Sequence, residues 1–542
     1  MPRLGSRFGL VFLLGGVAAL GILTLWQVEP RVGRLWINTA WLAAGAAGIA
    51  LPLGTLAAVA IFKTDAPGQR PAAALFTAML FVPLYLVTGA WDAGFGIQGW
   101  HTLATNPHLA HEAWLGGWRA AIWVHALAAI PWVVLIVGAG LRAVEAEIEE
   151  DAVTVATPPR VLWHVTLRRA AAALVVAAVW VAIVASVEIS ATDFFQVRTF
   201  AEEVYTQAAL GTFDLIDPVA VEEAATPLPA AGLWIGLALA SVLALIAMLV
   251  AGQLFARFTE APHRPPWIWR LGRWRWPTGA ALWLVILFVA GVPLANLLYK
   301  AGVHVTATEA GVVRSWSPAK VVERVAAAPV EFRGELWLSA WLGAAAATAA
   351  LAVALPLAWS MRDKSRTPWL RLAALSLCLT IPGPLLGIGL IQLLDRPPES
   401  PLAGLAGLYD SNFAPWLVQT VRALPLVTLV LWPALGSIPQ VMLDAAATEG
   451  TGWWGRLMRI ALPQRWPALA AAWLVGLAIA VGELAATVLV MPPQPSTALS
   501  VRVFQLLHYG VDDRVAAICL VMVAAIGVLT AMAATLLKRI NQ

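Results

Sequence analysis

Long apolar runs alternate along the chain with short polar segments punctuated by proline and glycine. Each run holds about twenty residues or more, enough for a helix to cross a hydrocarbon core of roughly 30 Å. The pattern predicts twelve membrane-crossing helices, at about residues 8–28, 35–61, 71–91, 119–141, 170–190, 230–252, 279–299, 334–360, 372–394, 413–436, 466–490 and 515–537. The first run follows Arg3 and Arg7. It is long for a cleavable leader and is read as an uncleaved helix.

Composition agrees with that pattern. The chain is 60% hydrophobic and only 12% charged, about half the charged fraction of an ordinary soluble protein. Its mean hydropathy is +0.78. The 28 tryptophans suit anchoring at membrane–water interfaces. The net charge of +4 is no signal for nucleic acid, because the basic residues follow the membrane. Most of the 35 lysines and arginines fall in segments that are cytoplasmic if the N-terminus is inside, which predicts both termini on the cytoplasmic face. Cys378 and Cys519 lie in apolar runs and read as packed thiols. The expected fold class is an all-α polytopic membrane protein.

The chain also repeats itself. Ala40–Leu42 (AWL) returns at Ala340–Leu342, and Ala50–Leu53 (ALPL) at Ala354–Leu357. Pro83 and Pro382 fall at matching points, as do Pro131 and Pro425. Val187–Thr192 (VEISAT) aligns with Gly482–Thr487 (GELAAT). Tandem six-helix halves share one orientation, so their pseudo-twofold axis runs along the membrane normal. The basic, tryptophan-rich stretch Arg257–Gly279 between them is expected on the inner membrane surface.

One polar segment carries more than an ordinary loop needs. Asp444–Pro463 reads DAAATEGTGWWGRLMRIALP. An acid suits a helix N-terminus, Gly450 and Gly452 permit a sharp turn, and Trp453–Ile460 can form a short amphipathic helix. Pro463 suits the first turn of the next long helix. The plain alternative is a charged interfacial loop.

These residues resemble the permease subunits of ATP-binding-cassette (type I) importers. That family carries E-A-A, three residues, G, nine residues, I-x-L-P. Asp444, Ala445, Ala446, Gly450, Ile460, Leu462 and Pro463 match the spacing, with Asp in place of Glu. The resemblance implies a coupling helix that docks into an ATPase subunit. The equivalent stretch of the first half keeps Glu149, Glu150 and Asp151, with Val165 and Leu167 near its end. It lacks the glycine, and Arg168 replaces the proline, so Pro158-Pro159 must supply its turn. Arg198–Gln207 and Gly482–Gly510 further resemble the fused permeases of ferric-iron importers.

The resemblance implies the following organisation: an N-terminal helix and loop over 1–34, one permease domain over 35–253, a linker with helix 7 and an outer loop over 254–333, and a second permease domain over 334–537. It implies two separate ATPase subunits using ATP and Mg on the cytoplasmic side, and a periplasmic or lipid-anchored solute-binding protein. The membrane would be the bacterial inner membrane. Ferric iron is the implied solute; thiamine, phosphonate, sulfate and polyamine permeases share the fold.

Remaining chemistry is sparse. No phosphate-binding loop is present, since Lys63-Thr64 and Lys364-Ser365 lack the glycines before them. The chain therefore reads as a transport subunit rather than an enzyme, with no cofactor of its own. Glu188 and Glu483 fall in apolar runs, with Thr192 and Thr487 one helical turn on. Intramembrane carboxylates usually face a bundle interior or a water-filled path; here they either line a path or cap the helices that follow. Arg422 is expected to snorkel or pair with a carboxylate. His101, His108 and His111 share one outer loop and could ligate a metal, though a solvated loop explains them as well. A secondary transporter with parallel halves is the competing reading, and a membrane-embedded enzyme is disfavoured by the lack of clustered catalytic residues.

Overall fold

A computed structural model describes residues 30–105, 113–210, 265–308, 311–362, 368–396, 399–492 and 497–540. Among them six helices are long and apolar enough to cross a membrane, or up to ten if each bent helix pair is one span. The protein is thus an all-α membrane protein in its main part. Two of the expected spans, 8–28 and 230–252, lie outside the described residues, as do His108 and His111. The other ten overlap the observed helices and bent pairs.

In chain order the described elements form two series joined by a connecting region. The first opens with α1 (Pro30–Phe62), α2 (Gln69–Met79) and α3 (Leu84–Phe95). It continues with α4 (Gly117–Arg142), a surface helix α5 (Ala146–Val155), α6 (Ala171–Val187), the short α7 (Ser190–Phe194) and α8 (Phe200–Ala209). A connecting region follows: the irregular span α9 (Gly272–Gly302), a hairpin β1 (Val303–Thr308) and β2 (Gly311–Trp316), and α10 (Pro318–Glu331). The second series is α11 (Arg333–Ser360), α12 (Pro368–Thr380), α13 (Gly383–Leu394), α14 (Phe413–Gly436), α15 (Gln440–Thr448), α16 (Trp466–Gly482), α17 (Thr487–Val490) and α18 (Leu499–His508). A long helix α19 (Asp513–Ile540) ends the chain's described part.

Small residues let the long helices approach closely, which is how helices associate where the surrounding lipid is as apolar as leucine. Ala43, Ala46 and Ala50 of α1 are buried where it packs on α4, and Ala346, Ala350 and Ala354 of α11 are buried where it packs on α14. Pro52 and Pro356 sit inside α1 and α11 at matching places. A hydroxyl contact recurs as well: Thr39 Oγ1 accepts the Phe200 N–H at 3.0 Å, and Ser339 Oγ accepts the Leu499 N–H at 2.7 Å. Each contact pins the start of an amphipathic helix, α8 or α18, to the first long helix of its series. Tyr85 and Leu86 share a core with Phe504 and Leu507, and the stacked Trp36–Phe200 pair shares one with Leu385 and Ile388, so the two series interlock.

Four features differ from the sequence expectations. The spans at 71–91 and 372–394 are not straight: their limbs bend by 107° and 99°. Pro83 and Pro382 sit at these breaks in extended conformation, each opening the second limb. Proline removes a helix donor and drives its predecessor out of the helical region. The spans at 170–190 and 466–490 are shorter than expected, ending at Val187 and Gly482. The stretch read as an outer loop holds a hairpin, in antiparallel register Val303↔Trp316 to Thr308↔Gly311, and a helix, α10. Its valines and threonines favour strand. Pro463 lies in the short segment Trp453–Gln464, and Pro467 instead occupies the first turn of α16, after a bend of 85°.

Candidate functional site

The quoted segment folds as two limbs over a buried floor. Its first limb, α15, begins at Gln440, four residues before Asp444. Asp444 therefore sits mid-helix, exposed, and accepts the Gln440 Nε2 donor at 2.8 Å; it is not at a helix N-terminus as expected. Gly450 has φ +82°, the left-handed conformation that favours glycine. Around it the Gly450 N–H reaches the Ala447 carbonyl at 3.0 Å and the Thr451 N–H reaches Ala446 at 2.9 Å. That pair of bonds is the Schellman closure of a helix C-terminus. Gly452 is ordinary by comparison, with φ −66°.

The second limb, Trp453–Gln464, contains a π-helical stretch at Arg456–Ala461. Leu443, Leu457 and Ala461 point inward into a core with Leu431 and Leu435. Val441, Trp454 and Met458 face outward, Val441 being 79% exposed. Ala445 is exposed, and Ala446, Ile460 and Leu462 are half-buried. Arg362, just past α11, fastens the base: it donates to the carbonyls of Leu435 and Ile438 and stacks 4.9 Å above Trp359.

The corresponding first loop is built with different fastenings. Pro158 opens the second limb after extended residues Ala156 and Thr157, so the prolines do provide the turn. Glu149 does not face outward. It is fully buried, with Oε2 2.6 Å from Lys63 Nζ and Oε1 accepting the Thr166 hydroxyl at 2.6 Å. Glu150 is half-buried and Asp151 exposed; Val165 and Leu167 are half-buried. The outward apolar residues here are Val155 and Trp163, 86% and 68% exposed. The Lys63 carbonyl accepts the Trp269 N–H at 2.7 Å, and Asp65 accepts Leu271 N–H at 2.9 Å, so the described end of the linker lies against the same corner.

At the far ends of α6 and α16, Glu188 and Glu483 line one cleft of about 260 Å³. Both helices hold 17 residues, which puts the carboxylates about 25 Å from the loops at 1.5 Å per residue. Each carboxylate caps the next short helix. Glu188 accepts the N–H groups of Ser190 (2.7 Å) and Ala191 (3.3 Å) and the Ser190 hydroxyl (2.7 Å). Glu483 accepts the N–H groups of Ala486 and Thr487, both at 2.9 Å, and the Thr487 hydroxyl. Thr192 does not join Glu188: it belongs to the separate helix α7 and donates to the Ile189 carbonyl at 3.1 Å. Gly482 lets this wall close, because a Cβ there would come within 2.7 Å of Pro83. Arg422 also lines the cleft and donates to the Ile381 carbonyl at 2.8 Å; it neither snorkels nor forms an ion pair among the described residues. A larger cavity of about 570 Å³ lies between α3, α4 and α9, walled by Trp91, Trp114, Trp123 and Phe288, with no carboxylate or arginine in its lining.

Beside the cleft, Asp193 of the first series meets His508 of the second. His508 Nε2 lies 3.0 Å from Asp193 Oδ2, and Nδ1 lies 2.9 Å from the Phe504 carbonyl. Both ring nitrogens face acceptors, which only the doubly protonated ring satisfies. The Asp193 hydrogen bond accordingly raises the His508 pKa above its ordinary value. A raised folded-state pKa adds stability that is complete below the unfolded value near 6.5 and is lost as pH rises through the folded one. His508→Asn should therefore flatten the fall in thermal midpoint between about pH 6 and pH 8; an unchanged slope would show that the pair does not couple to folding.

No family model matches this chain, nor does any curated protein. Several site residues escaped the sequence reading. Tyr85 is one more residue of an apolar run, and Lys63 reads as a positive flank of a span. The outward Val155, Trp163, Val441 and Met458 had one usable signal, apolar side chains in otherwise polar loops.

Proposed function

We propose that this chain is the membrane permease of an ATP-driven importer of the ATP-binding-cassette type. In this reading the two series are tandem permease halves related by an axis along the membrane normal, giving twelve spans with both termini cytoplasmic in a bacterial inner membrane. The loops Glu149–Leu167 and Asp444–Pro463 receive two separate ATPase subunits. The shared cleft belongs to the path of a solute handed over by a binding protein. Ferric iron is the solute that the resemblance implies, with thiamine, phosphonate, sulfate and polyamine as alternatives that the cleft chemistry separates below.

The observation that carries the reading is the build of the two loops. Each is a two-limbed helical step fastened to the spans by buried contacts on one side, with large apolar side chains exposed on the other. Exposed apolar groups clustered on a rigid support mark an interaction surface, and a secondary transporter has no need of one there. The test is co-purification from the native membrane with ATP-binding-cassette ATPase subunits, in the presence of Mg and ATP. Val441→Asp and Trp454→Asp, at exposed positions with little to lose on folding, should abolish capture while membrane insertion is normal. Undiminished capture by both variants, or no ATPase captured by the wild type, would overturn the reading.

A further inference from the structure

The cleft distinguishes between solutes by which hydrogen-bonding groups it leaves free. Its two carboxylates are the obvious ligands for a cation, yet each already accepts three hydrogen bonds from the helix it caps. A carboxylate offers about four acceptor positions, so little capacity remains. Their negative charge is also directed toward the N–H groups of α7 and α17, where it offsets exposed helix donors.

The free capacity belongs to donors. Arg422 carries five N–H donors and, among the described residues, uses one, on the Ile381 carbonyl. The Tyr85 hydroxyl is buried in the same lining with no hydrogen-bond partner among the described residues, on a residue 1% exposed. An unpaired buried hydroxyl is costly and calls for an acceptor. The guanidinium also lies in the field of both glutamates, so the charges in the cleft offset one another in part and the free donors decide which solute it holds. At about 260 Å³ the cleft falls below the roughly 300–1,000 Å³ of pockets for drug-sized ligands.

Resting on the permease reading, we infer that the solute passing this cleft is a small oxyanion, met by Arg422 and Tyr85, and not a bare metal cation met by Glu188 and Glu483. A planar guanidinium recognises tetrahedral or carboxylate oxygens through paired N–H bonds, and the phenol supplies a third donor. One such contact is enough for a passage that must release its cargo.

The test uses the full chain in lipid nanodiscs and equilibrium dialysis against radiolabelled inorganic phosphate, sulfate, methylphosphonate and ferric iron in turn. The expected result is retention of at least one anion. Arg422→Gln should weaken it about tenfold or more, the usual effect of losing a charged hydrogen bond. Arg422→Lys should retain part of it, and Tyr85→Phe should weaken it by less. Glu188→Gln with Glu483→Gln, which removes the negative charge beside Arg422, should strengthen anion retention. Retention of ferric iron that depends on the two glutamates and not on Arg422 would overturn the inference, as would anion retention indifferent to Arg422→Gln, or no anion retained by a wild type of normal melting behaviour. A lipid phosphate has the same chemistry, so nanodiscs of purely zwitterionic and of anionic lipid are compared; competition by anionic lipid without binding of any free anion would also overturn it. ATPase capture is scored in the same preparations. Captured ATPase without anion binding removes only the solute class, whereas loss of capture removes the permease reading itself.

Discussion

Lys63→Met should destabilise the protein by about 3–5 kcal/mol, the cost of leaving a buried charge without its partner. Both side chains of the Lys63–Glu149 pair are 0% exposed, and their atoms are 2.6 Å apart. The pair joins the end of α1 to the first turn of α5, 86 residues away in sequence. Removing the ammonium strands the Glu149 carboxylate with, among the described residues, only the Thr166 hydroxyl as a donor. The loop should then detach, loosening the backbone at the already exposed Arg160, Arg168 and Arg169 so that trypsin cleaves there faster, and the thermal midpoint should fall. Replacing both members, as Lys63→Met with Glu149→Met, should recover most of the loss, because buried pairs often exchange for apolar groups at little net cost. The residue of the effect would be the unpaired Thr166 hydroxyl, about 1–3 kcal/mol. Equal destabilisation by the single and double variants would show that the pair acts through packing and not through charge.

That pair also marks where sequence reading stops. Ten of the expected spans overlap observed helices or bent pairs because a twenty-residue apolar run has few other uses, and the matched positions of Pro83 with Pro382 and of Glu188 with Glu483 were legible from their near-constant spacing. The breaks at Pro83 and Pro382 were marked by the prolines, but a bend of about a right angle depends on what the second limb packs against. Glu188 and Glu483 were found, while their orientation was not. A glutamate at a helix end reads the same whether it lines a path or caps the next helix, since periodicity records position and not the direction of a carboxylate. In the structure the two readings are not exclusive, because both carboxylates cap and both border the cleft. Lys63–Glu149 and the Asp193–His508 contact join residues far apart in sequence, and no local pattern encodes either.

On the permease reading proposed above, Gly450→Val should sever coupling to the ATPase while sparing the spans. Gly450 has φ +82°, and a residue with a Cβ pays roughly 1–2 kcal/mol to adopt the left-handed region, more when β-branched. Space is not the obstacle, since a Cβ at this position would meet nothing within 4 Å. The strain is therefore confined to the turn, and two hydrogen bonds depend on that turn, Gly450 N–H to Ala447 and Thr451 N–H to Ala446. Losing them frays the end of α15 and shifts Trp453–Gln464 relative to it, moving the outward Val441 away from Trp454 and Met458. Leu443 and Leu457 remain buried against α14, so the floor and the spans should hold, and the thermal midpoint should change far less than in Lys63→Met. ATPase capture should fall by an order of magnitude or more, because a docking surface split across two limbs needs both in register. Gly450→Asn, which tolerates positive φ better than other non-glycine residues, should keep most of the capture. Loss of capture in the asparagine variant equal to that in the valine variant would mean that the glycine is needed for contact with the partner itself, and that the turn is not what sets the register.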